Sequence, residues 1–255
     1  SYLIQNTNIR TVPSVFNFIE SSNQPVVSSK KQKLLALGDP VFNTKEISNF
    51  DFLLNKYRSS QGAIDSISAL DQLPESRNEI LTISEYFSES KIFLGKDASV
   101  NKLLSLNLEE FSHIVIATHA IAPFEILNIP TSGLVLSPSK NDLGLLTPFL
   151  IAQLSLDAEV VALSACSTSS AEFSDKEIYT GLVKSFMEAG TKSVLFTDWK
   201  VETNASSLVT RNTMKNLIEG LDKDEALSKS IRYYLQTNEG IYRHPSFWAS
   251  FDIFY

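Results

Sequence analysis

Two stretches constrain this chain more than any others: His113-Ile-Val-Ile-Ala-Thr-His119 and Glu159-Val-Val-Ala-Leu-Ser-Ala-Cys166. Both are short, apolar and rich in β-branched residues, and neither alternates with polar ones. A strand with one face in water alternates, whereas a strand covered on both faces does not. The two runs therefore predict inner strands of a mostly parallel sheet with helices on either side. Each run ends in a residue able to do chemistry. In open α/β sheets, reactive groups gather beyond the carboxyl ends of the strands, so neighbouring placement sets His119 and Cys166 side by side at one rim.

The remaining pattern alternates helix with strand. Lys33–Gly38 predicts a first core strand closed by a Gly-Asp-Pro turn. Pro74, followed by Ile80, Ile83 and Phe87, marks an amphipathic helix opened by proline. A strand is expected at Lys91–Leu94, then helices at Ser99–Leu106 and Leu145–Leu154. Glu177–Ala189 predicts a helix with Gly190 beyond its end. A strand at Lys192–Thr197, helices over about 203–219 and 222–236, and a last strand at Trp248–Tyr255 follow. This order argues a three-layer α/β/α sandwich with a mostly parallel sheet of about six strands. Residues 22–33, with Lys30-Lys-Gln-Lys33, are expected to be a solvated loop, with a linker or docking patch as the alternative. Residues 43–72 are polar and are expected to form a surface insertion with some helix. Residues 1–32 are assigned to an N-terminal extension or linker and 33–255 to the folded domain.

The chemistry of the two strand ends follows from what each group lacks alone. A free thiol has a pKa of about 8.5 and is mostly protonated at neutral pH, while an imidazole near 6.5 can take its proton. The chain holds one cysteine and three histidines. Cys166 can thus form no internal disulfide, and no cysteine cluster of zinc-site spacing exists. No cofactor is expected. The plain alternative is that a lone cysteine closing a strand is a small buried hydrophobe. With 255 residues, 43% of them hydrophobic, the chain can bury a full core. A net charge of −7 without a long basic run argues against a nucleic-acid platform. No apolar stretch reaches the roughly 18 residues of a membrane-spanning helix, and a lone thiol suits a reducing cytoplasm.

A series of motifs carries a resemblance over nearly the whole chain. In order they are Val12-Pro-Ser, Leu34-Leu-Ala-Leu-Gly-Asp-Pro-Val-Phe42, Leu73-Pro-Glu-Ser-Arg-Asn-Glu79, Phe93-Leu-Gly-Lys-Asp-Ala98 and Ala117-Thr-His119. Gly133-Leu-Val-Leu-Ser137, Leu163-Ser-Ala-Cys166, Ala189-Gly190, Trp199-Lys-Val201 and His244-Pro-Ser-Phe-Trp-Ala-Ser-Phe251 follow. In this order the chain resembles the CHAT-domain peptidases, of the clan that holds caspases, metacaspases, gingipains and separase. In caspases the histidine lies about 50 residues upstream of the cysteine; here the separation is 47.

The resemblance implies a caspase-like fold and a cysteine endopeptidase with His119 as general base and Cys166 as nucleophile. The oxyanion would be met by the backbone amides of Ala120 and Cys166, although relatives carry glycine where Ala120 stands. Relatives also tend to place glycines in the loop that follows the cysteine, here Ser167–Asp175. Ser164, two before the nucleophile, is neutral where several basic-specific relatives carry an acid. That leaves Asp198 or Glu202, flanking Trp199-Lys-Val201, to read a basic residue, with solvated surface carboxylates as the alternative; Trp199 would wall the pocket or fill the core. His113 stands about 20 Å from His119 along its strand, too far to join the dyad, and His244 is expected to make a structural hydrogen bond. The expected partners are a protein or peptide substrate and an upstream helical-repeat region or regulatory complex, since the family's domain usually follows such repeats and this chain starts at Ser1. A catalytically silent member serving as a binding module, and an unrelated α/β domain with a buried cysteine, are the other two readings.

Overall fold

A computed structural model describes residues 2–9, 32–43, 60–126, 129–139, 142–167 and 175–255. Residues 22–31 of the expected loop, much of the 43–72 insertion and most of the loop after Cys166 lie outside the described residues. The strands are β1 (Lys33–Gly38), β2 (Glu89–Leu94), β3 (His113–Ile121), β4 (Gly133–Val135), β5 (Leu145–Leu146), β6 (Val160–Ser167), β7 (Val194–Thr197) and β8 (Phe251–Phe254). The α-helices are α1 (Ser60–Ser68), α2 (Pro74–Ser84), α3 (Val100–Leu104), α4 (Pro148–Ile151), α5 (Asp175–Glu188), α6 (Thr203–Ile218) and α7 (Lys223–Thr237).

All eight strands form one sheet, whose main path runs β2-β1-β3-β6-β7-β8, with β4 and β5 extending from the end of β3. The first five strands on that path are parallel, and β8 closes the edge antiparallel to β7. Alternate residues of the inner strands sort to two faces, as the period of a strand requires. Leu35, Leu37, Ile114, Ile116, Val161 and Leu163 pack against α3, α4 and α5. Leu34, Ala36, Val115, Ala117 and Ala162 pack against α2, α6 and α7. The expected three-layer α/β/α sandwich is therefore the observed, caspase-like one. A third apolar cluster joins α1 to the β4–β5 hairpin through Ile64, Ile67, Ile121, Val135 and Leu145.

Helix α2 begins with Pro74 at its first turn and turns Ser76, Glu79, Ile80 and Ile83 inward. It lies close to β1, because Gly38 leaves room for Ile80; a Cβ there would stand 2.2 Å from Ile80 Cδ1. Residues 2–9 pack on α7. Ile4 is buried in the same core, and the Arg232 guanidinium donates to the carbonyls of Ile4 and Thr7 and to Asn8 Oδ1.

Two expected elements are corrected. The helix expected over Leu145–Leu154 is a two-residue strand followed by the one-turn α4. Leu145 and Leu146 pair with β4, Gly144 turns the chain at φ +79°, and Thr147 caps a helix opened by Pro148. The last strand starts at Phe251, not Trp248. The preceding residues wind into two tight 3₁₀ turns, and the Trp248 indole N–H donates to the Arg243 carbonyl.

Candidate active site

Strands β3 and β6 are parallel neighbours whose register runs from His113↔Val160 to Ala120↔Ser167, pairing His119 with Cys166. Adjacent strands lie about 4.8 Å apart, and residues level with each other on parallel strands fall on the same face. Two residues separated by 46 intervening positions thus stand side by side at the carboxyl end of the sheet, as expected from the sequence.

His119 is 8% exposed. Its ring leans on the fully buried Phe42, with centroids 5.3 Å apart, and its Nε2 lies 2.8 Å from the backbone carbonyl oxygen of Asp71 in the α1–α2 loop. A carbonyl only accepts, so Nε2 carries the hydrogen and Nδ1 keeps the lone pair. The free nitrogen of the neutral ring is therefore the proton acceptor. Burial lowers the His119 pKa below the ordinary histidine value, opposed by the Asp71 hydrogen bond and the Asp71 charge. A neutral imidazole with a fixed tautomer is the form a general base requires.

Ala120 lies inside β3 with strands on both sides, paired to Leu134 and Ser167, and it is fully buried. The strand runs through Ile121, two residues past the histidine, because β4 pairs with it there. Next to this pairing, the Thr118 hydroxyl donates to the Val135 carbonyl.

Ser164 is half-buried one step below Cys166 on the same face. The 198–202 segment leaves the end of β7, the next strand over. The Asp198 amide donates to the Ser250 carbonyl. Trp199 is 38% exposed, so it does not fill the core; its indole N–H donates to the Ser246 carbonyl. The Glu202 carboxylate caps α6, accepting from the amides of Asn204 and Ala205 at 3.1 and 3.0 Å, where it also meets the positive end of the helix dipole.

The other histidines stand apart. His113 is buried at the opposite end of β3 beside the Ser112 hydroxyl and the edge of the Phe87 ring, and burial lowers its pKa to about 4. His244 Nδ1 caps its own turn, accepting from the Ser246 amide.

Two contributors escaped the sequence reading. The Asp71 carbonyl is a backbone atom and leaves no trace in residue types. Glu79 left one, because an acid stands on the buried stripe of an otherwise amphipathic helix. It is 4% exposed, its carboxyl meets the Ser164 hydroxyl and faces Arg211, and burial pushes its pKa up to about 7. Its Oε1 is buried without a hydrogen-bond partner among the described residues.

A mostly parallel α/β/α sandwich with histidine and cysteine paired at the carboxyl ends of adjacent inner strands defines a protein of the caspase-like class. A sequence profile of the CHAT domain matches residues 1–255. The chain belongs to the CHAT-domain family, a caspase-like cysteine peptidase family. No curated protein matches it.

Proposed function

We propose that this CHAT domain is a cysteine endopeptidase acting through His119 and Cys166. The observation that carries the reading is the strand register that pairs the two residues, joined to the Asp71 carbonyl that leaves His119 Nδ1 as the base. Nδ1 takes the thiol proton, and the thiolate adds to the carbonyl carbon of a peptide bond. The tetrahedral intermediate collapses as the C–N bond breaks, and the imidazolium returns the proton to the leaving amine. A thioester remains on Cys166. Water, deprotonated by His119, adds to it and releases the new carboxyl terminus. The amides of Ala120 and Cys166 are the proposed donors to the oxyanion, and Ser164, Asp198, Trp199 and Glu202 are the proposed border of the substrate groove.

His119 is almost fully covered, which supports a closed resting state opened by an upstream repeat region or a regulatory complex. A reducing cytoplasm would keep the thiol free. Among the described residues no helix is long and apolar enough to cross a membrane.

The test is incubation with a mixed peptide library, reading cut sites by mass spectrometry, with Cys166→Ala as control. Cleavage that disappears in the control is expected. Cleavage that persists in it, or no cleavage together with a thiol no more reactive toward a peptidyl electrophile in the parent than in His119→Ala, overturns the peptidase and favours a catalytically silent binding module.

A further inference from the structure

One step below the dyad, three small residues stand in a row across the sheet: Gly38 on β1, Ala117 on β3 and Ser164 on β6, level with one another in the strand register. They share the face of His119 and Cys166, two positions along each strand. Behind Ser164, on α2, stands Glu79. Native interiors leave few polar atoms without a partner, and each such atom calls for an explanation. Among the described residues two buried side-chain atoms lack a partner, Asn212 Nδ2 and Glu79 Oε1; the second belongs to a residue 4% exposed whose carboxyl meets the Ser164 hydroxyl. The small residues let α2 pack closely on this face, with Ile80 against Gly38, and that packing brings the unsatisfied carboxyl of the same helix up to Ser164, below the dyad.

We propose that Glu79 forms the floor of the pocket that receives the substrate side chain just before the scissile bond, and that it selects arginine or lysine there. This rests on the peptidase reading. Ser164 and Cys166 are two residues apart on one strand, about 6.6 Å, which is the reach of an extended arginine or lysine side chain. A substrate whose carbonyl lies at Cys166 can therefore lay that side chain along Ser164 toward Glu79. The forked guanidinium offers paired N–H donors to a carboxylate, and lysine offers a point charge. Arg211 on α6 faces the same carboxyl and is the cation that an incoming side chain must outcompete. Glu202 is the weaker candidate, since its carboxylate already holds two amides of α6.

The test separates pocket from chemistry. Binding of N-acetyl-argininamide and of its neutral isostere N-acetyl-citrullinamide to the full Cys166→Ala chain is measured by NMR titration. The arginine compound is expected to bind at least tenfold more tightly, and Glu79→Gln to erase the difference. Glu79→Asp, which keeps the charge on a shorter arm, is expected to retain part of it. Equal binding of the two amides to the Cys166→Ala chain overturns the proposal whatever the variants do, as does an arginine preference that survives Glu79→Gln or is lost instead in Asp198→Asn or Glu202→Gln. An arginine preference with neither cysteine-dependent cleavage nor a thiol more reactive in the parent than in His119→Ala leaves the pocket standing and sinks the peptidase. Cleavage without a basic preference does the reverse.

Discussion

Burial is the largest influence on His119, and it acts by disfavouring the charged ring. The imidazole therefore stays neutral, and able to accept a proton, to lower pH than an ordinary histidine. The acidic limb of kcat/KM for cysteine-dependent cleavage is expected to lie below pH 6.5, the ordinary histidine value; a midpoint at or above it in a pH–rate profile would contradict the role given to this residue. Removing the base is expected to cost about 10²–10⁴ in rate. His119→Ala should show that loss both in peptide turnover and in alkylation of Cys166, while the circular dichroism melt stays close to that of the parent.

The elements that reach the sheet's centre were the most legible. Runs such as Leu34-Leu-Ala-Leu37 and Ile114-Val-Ile-Ala117 are covered on both faces, so their composition alone declares them, and β1 begins and ends where the sequence placed it. The β4–β5 hairpin was not legible. Its strands have three and two residues, too few for a period to register, and its apolar residues blended into the following Pro148 turn to imitate a helix. Helix ends depended on glycine geometry. Gly190 closes α5 at φ +107°, and a Cβ there would sit 2.4 Å from the Leu156 carbonyl oxygen. Gly190→Ala must strain the backbone or push away the β5–β6 connection, and it is expected to destabilise the fold by about 2 kcal/mol or more, read as a lower midpoint in urea unfolding.

Across the whole molecule, two buried titratable groups pull stability in opposite directions with pH. His113 falls to about 4 in the folded chain, so the unfolded chain binds the extra proton, and its contribution rises with pH from about 4 to the ordinary 6.5. Glu79 rises from 4.5 to about 7, so the folded chain binds the extra proton, and its contribution is full below 4.5 and lost as pH climbs through 7. Each slope is about 1.4 kcal/mol per pH unit at its steepest. Between pH 4.5 and 6.5 the two oppose each other. Glu79→Gln removes one of them, so its stability relative to the parent is expected to grow with pH across that window; urea titrations at half-unit steps would show a flat difference if Glu79 were ionised in the fold. Neither slope follows from composition, because it is packing that makes a histidine and a glutamate exceptional. The pairing of His119 with Cys166 was legible because each closes an apolar run in the sequence, although β3 continues to Ile121 and β6 to Ser167; the groups beside His119 and Ser164 were not, because one is a main-chain oxygen and the other required knowing which face of α2 is covered.

The bond from His119 to the Asp71 carbonyl has a consequence for how such a domain can vary. An alanine scan is blind to it, since every residue placed at 71 brings the same oxygen. What the arrangement protects is the length and path of the turn between α1 and α2: a substitution at 71 keeps the bond, whereas an insertion or deletion in the turn moves the oxygen away from the ring.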